Sequence, residues 1–211
     1  MSEDTDQAKK HWIEPAAAIL MAITTLATTW CSFQSSKWGG QSDALAARAS
    51  SLDRKANLLS VEGLQIQEAQ TGVFMQLLNA RLTGNDRVVK FYEERIGGEF
   101  KPAYEGWLAQ KPFENPKADP HPFVANLYTV RFSREVVEAR VEAAHNLEEG
   151  GRIGNIASRY LSNTVMLAAV LFFVGTSTRF DSQRVRKFSF LFGAALFLYV
   201  VGRMILLPVT T

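Results

Sequence analysis

Apolar residues along this chain are bunched into three runs that enclose a long, regularly patterned polar middle. Two runs, 161–180 (LSNTVMLAAVLFFVGTSTRF) and 187–207 (KFSFLFGAALFLYVVGRMILL), reach the length of about 20 residues that a helix needs to cross a bilayer. The third, 12–33, starts apolar and turns polar towards "TTLATTWCSF". The pattern predicts transmembrane helices at 12–33, 161–180 and 188–207, and an all-α integral membrane protein. Trp12 and Trp30 are 18 positions apart, about 27 Å along a helix, which places one indole at each interface. A cleaved leader would open on basic residues. "MSEDTDQAKKHW" is acidic before it is basic, and Glu14 and Pro15 stand at the entrance, so an uncleaved anchor is the expectation.

The middle carries a different period. Leu45, Leu52, Leu59, Ile66, Val73 and Ala80 recur at seven-residue spacing, and Ala49, Ala56, Gly63, Gln70 and Leu77 form a second row four places on. Such a stripe, made largely of small residues, predicts a helix whose partner approaches closely. Residues 126–160 are the expected partner, with Val130, Val137, Val141, Ala144 and Leu147 as its apolar face. The expected domain is an antiparallel helical hairpin over 34–160, with Gly39-Gly40 and Gly150-Gly151 as matching hinges where the long helices bend or break.

Between the two helices lies a tip, 84–126. Asn85 is placed to cap a short helix that Gly97-Gly98 stops, "EFKPAYEGWLAQ" reads as another, and five of the seven prolines fall between Pro102 and Pro122. Phe91, Tyr92, Phe100, Tyr104, Trp107, Phe113, Phe123 and Tyr128 gather around it. Two readings remain open: a cap packed on the hairpin, or a recognition surface in which Tyr104, Trp107, Phe113 and Phe123 meet a partner.

On a helical wheel the first helix is sorted. Glu14, Ala18, Met21, Thr25, Thr28, Ser32 and Ser35 share one arc, whereas Ile19, Ile23, Leu26, Trp30 and Phe33 occupy the opposite one. Small and hydroxylated residues on one face pack membrane helices closely, and repeated around a symmetric oligomer they would line a narrow hydrophilic path.

Charge adds orientation. The turn "RFDSQRVRK" holds four basic residues and one acid, and Lys9 and Lys10 precede the first span, so the arm 1–11 and the loop 181–187 are expected in the cytoplasm. Residues 34–160 and the tail 208–211 then lie outside. The outer segment balances 16 basic against 16 acidic residues, which argues against a nucleic-acid partner. Arg203, near the end of the last span, reads as an intramembrane charge that snorkels to the interface.

Chemistry is sparse. Cys31 is alone and is expected buried; His11, His121 and His145 are far apart in sequence, and no metal, nucleophile-elbow or phosphate-loop spacing occurs. No cofactor, metal or catalytic residue is expected. The two functional expectations are a structural or interaction protein that engages a protein partner through its outer domain, and an oligomeric pore lined by the first helix. Either way the partners are the lipid bilayer and a homo-oligomer or membrane complex. The layout of "ATTWCSFQSSKW" in one membrane helix, an outer hairpin, then "GTSTRF" and a basic turn resembles an uncharacterised family of bacterial three-helix membrane proteins. The resemblance implies a bacterial cytoplasmic-membrane location and no activity or functional residue.

Overall fold

The computed structural model describes residues 13–180 and 182–210, and among them the chain is all-helical. The elements are α1 (Ile13–Leu82), α2 (Asp86–Glu93), α3 (Phe100–Ala109), α4 (Ser133–Ser177) and α5 (Gln183–Ile205). Helices α1, α4 and α5 are long and apolar enough to cross a membrane. The arm 1–11, with His11, and also Trp12, Asp181 and Thr211, lie outside the described residues.

After Pro15, α1 contains no proline, and it stays helical through Gly39-Gly40. Likewise α4 runs through Gly150-Gly151. Both pairs lie inside continuous helix, so neither is a break. A Schellman motif ends α1, with Gly84 at φ +68°, the Gly84 N–H on the Arg81 carbonyl at 3.2 Å and the Asn85 N–H on that of Ala80 at 2.8 Å. The Asn85 side chain then caps α2 by accepting from the Val88 N–H at 3.3 Å.

The chain forms two compact units, one of Met1–Ala47 with Asn146–Thr211 and one of Arg48–His145. In the second, Ala49, Ala56, Gly63 and Leu77 are buried on α1, as their heptad spacing predicts. Ala56 and Leu59 pack with Val136 and Ala139, Arg48 pairs with Glu142 at 2.7 Å, and Gly63 lies against the Arg131 backbone carbonyl, so the two segments run in opposite directions. The face that α4 buries is not the expected one. It uses Val136, Ala139 and Ala143; of the expected residues Val130, ahead of the helix, packs near Gly63, whereas Val137, Val141, Ala144 and Leu147 are exposed. The helix also starts at Ser133 rather than near 126, after Phe132 in a left-handed conformation (φ 64°).

In the first unit α1, α4 and α5 pack through Ala17, Thr24, Cys31 and Gln34, through Tyr160, Leu167, Val170 and Val174, and through Gly193 and Val200. Small residues bring the helices together. A Cβ on Gly150 would meet the Leu45 Cβ at 3.3 Å, one on Gly154 the Ser42 Oγ at 3.0 Å, and one on Gly193 the Val174 Cγ2 at 2.6 Å. Gly150 is therefore a contact point.

Candidate functional site

The hydroxyl stripe of α1 is divided. Met21, Thr28 and Ser35 border the buried seam, whereas Glu14, Ala18, Thr25 and Ser32 face outward. The Ser35 and Ser42 hydroxyls donate to the Ala157 and Gly150 carbonyls at 3.0 and 2.8 Å, which ties α1 to α4. Thr25 and Thr29 instead donate to the Met21 and Thr25 carbonyls one turn back, at 2.9 and 3.0 Å. The greasy arc of Ile19, Ile23, Leu26, Trp30 and Phe33 is exposed. Cys31 is buried.

Pattern reading missed a polar latch in this unit. Residues 208–210 fold back onto the helices: Pro208 presents its carbonyl to the Trp38 indole N–H at 3.2 Å and the Tyr160 hydroxyl at 3.1 Å. Gln34, fully buried, closes on Thr210. It also missed Asn163, fully buried with neither end of its amide bonded to another described residue.

In the second unit the aromatic tip is a core. Trp107 is 3% exposed and Tyr104 2%, so neither stands at a surface as the recognition reading requires; Phe123 is half-buried, and of the four candidates Phe113 alone is exposed. Phe74 from α1 meets Trp107 edge-on at 5.2 Å and Phe123 at 5.9 Å, while Phe123 stacks on Phe100 at 5.4 Å. Every buried polar end has a partner. The Trp107 indole donates to the Asp119 carbonyl at 2.7 Å, the Tyr128 hydroxyl to Gln70 Oε1 at 2.7 Å, and Arg81 Nε to the Tyr104 oxygen at 2.8 Å while its Nη2 pairs with Glu93. Burial holds the Tyr104 phenol above its ordinary range.

Two surface features remain. An apolar cleft of about 320 Å³ opens between Val73, Phe91, Tyr92, Ile96 and Phe100, with the Arg95 guanidinium 4.0 Å from the Phe91 ring centre at its rim. The long helices also leave large aliphatics uncovered: Leu58, Val61 and Leu64 on α1, and Val137 and Val141 on α4. His121 and His145 are exposed, and no group of three His, Cys, Asp or Glu side chains among the described residues is close enough to hold a metal. No family model, curated protein or solved structure matches the chain.

Proposed function

We propose that the chain is a non-enzymatic, membrane-anchored structural or interaction protein, a scaffold, accessory subunit or sensor, that binds a partner through a helical-hairpin domain at 34–160. One observation carries the reading: Leu58 is 73% and Val141 64% exposed, and Val61, Leu64 and Val137 join them. Covering such a side chain contributes about 1.5–3 kcal/mol, and apolar patches on a water-exposed domain mark interaction surfaces. The cleft beside Phe91 offers a socket for a partner's apolar side chain. The Lys/Arg bias of the arm and of the 181–187 turn supports a cytoplasmic N-terminus, with 34–160 beyond a bacterial inner membrane. Photo-crosslinking residues placed at Leu58 and Val141, with buried Ala139 as control, test it in native membranes. Adducts of defined mass at the first two positions and none at Ala139 are expected; no adduct at either exposed position would remove the reading.

A second reading, an oligomeric channel, is favoured by the outward exposure of Ala18, Thr25, Thr29 and Ser32 on α1. Copies of α1 would turn these residues to a shared axis, with Glu14 as a cation-favouring ring at its mouth. Cysteine at Thr25 should then react with a membrane-impermeant thiol reagent. A monomer by native mass spectrometry in mild detergent would count against the channel.

A further inference from the structure

Arg159 of α4 and Arg203 of α5 line one cleft of about 190 Å³, whose other walls are Leu206 and Leu207. Arg159 also lines a second cleft, of about 360 Å³, with Asn155, Ser158 and Ser162. Neither arginine has a carboxylate within ion-pair distance among the described residues, although eight such pairs form elsewhere. Arg203 leans on the Met166 sulfur at 3.7 Å and lies 6.0 Å from the centre of the Tyr199 ring. No Asp or Glu side chain occurs over 15–42, 150–180 or 182–211.

Two guanidinium groups on one small cleft repel each other, and an anion between them would offset that repulsion. Snorkelling explains one arginine at an interface, but not two on neighbouring helices that share a cavity. The position selects the anion. Arg203 lies in the last turn of α5 and Arg159 precedes the most apolar stretch of α4, so the cleft falls at the ends of two candidate spans. Leu161 and Val165 on α4, Leu198 and Ile205 on α5, and Leu206 just after it are exposed, a surface suited to acyl chains.

We propose that this cleft binds the phosphodiester headgroup of an anionic phospholipid, with Arg159 and Arg203 on phosphate oxygens and the Ser158 and Asn155 side near headgroup hydroxyls. Planar guanidinium forks match phosphate geometry, and basic pockets between membrane helices are suited to anionic headgroups. The bound lipid would cement α4 to α5. The inference is independent of the partner-binding reading, since it uses other residues in the other unit.

The full-length protein, delipidated in a mild non-ionic detergent, is titrated with phosphatidylglycerol, phosphatidylcholine and glycerophosphate, and occupancy is read by native mass spectrometry. Phosphatidylglycerol should be retained over phosphatidylcholine by about tenfold, the scale of one charge-assisted hydrogen bond. Arg159→Gln should remove most of that preference and Arg159→Gln/Arg203→Gln all of it, whereas Arg152→Gln, whose guanidinium pairs with Glu149, should leave it unchanged. Arg159 makes no hydrogen bond or ion pair to another described residue, so its substitution keeps the fold, checked by an unchanged thermal melt. Equal retention of both lipids, or retained preference in the double variant, would overturn the proposal. So would displacement of the lipid by glycerophosphate at matching concentration, which would mean a site for a free anion.

Discussion

Gln34 and Thr210 hold each other by three hydrogen bonds: Gln34 Nε2 donates to the Thr210 carbonyl at 3.0 Å, and Oε1 accepts from the Thr210 N–H at 3.0 Å and hydroxyl at 2.9 Å. Their cost of removal makes the first prediction. Gln34→Leu should lower unfolding free energy by about 2 kcal/mol, because each bond contributes about 1 and the apolar side chain recovers part. Equilibrium unfolding in mixed detergent measures this, and amide exchange of the 208–210 segment should accelerate in the same variant.

Glycines discriminate between hinge and contact. A Cβ at Gly39 or Gly40 meets nothing within 4 Å, so Ala at either should stabilise the helix by about 0.5–1 kcal/mol. Gly63→Ala places its Cβ into the Arg131 backbone carbonyl and should cost about 2 kcal/mol. Unfolding midpoints of the three variants give the signs directly.

Trp107→Ala should cost about 3–5 kcal/mol, because it removes the ring that Phe74 and Phe113 pack on and orphans the Asp119 carbonyl. Phe113→Ala, at an exposed position, should cost far less. Thermal unfolding followed by near-ultraviolet circular dichroism reads both. Equal effects would contradict the assignment of Trp107 to the core.

Acid should loosen the same tip. Asp119 Oδ2 accepts from Gln110 Nε2 at 2.9 Å and Asn126 Nδ2 at 3.1 Å, and these bonds hold its carboxyl below the usual range. A folded-state pKa that is depressed adds stability above the unfolded value, about 4, which is lost as pH falls through the folded one. The Trp107 indole proton should therefore exchange faster only on the acid side of that window, and Asp119→Asn should abolish this pH dependence. Nuclear magnetic resonance of the indole signal checks it.

The candidate spans are legible from apolar length and the α1 seam from its seven-residue spacing. The partner face is not. On α4 the contact is made by Ala139 and Ala143 with Val136, and a hydropathy reading prefers the valines at 137 and 141 one helical step away. Small residues win because a close approach needs them, a requirement that depends on the opposing helix. The tail latch is 176 residues from Gln34 and leaves no local signal. For the tip, composition located the cluster, but whether aromatics face inward depends on Phe74 in another helix.

The central claim is that the exposed aliphatic stripes serve association and not the fold. Val137→Ser/Val141→Ser, with Leu58→Ser added, tests it most directly by sedimentation of the protein extracted from native membranes, with a thermal melt alongside. The account predicts loss of the associated mass with the melt unchanged within about 1 kcal/mol. Unaltered mass, or a melt lowered as for a core substitution, would contradict it.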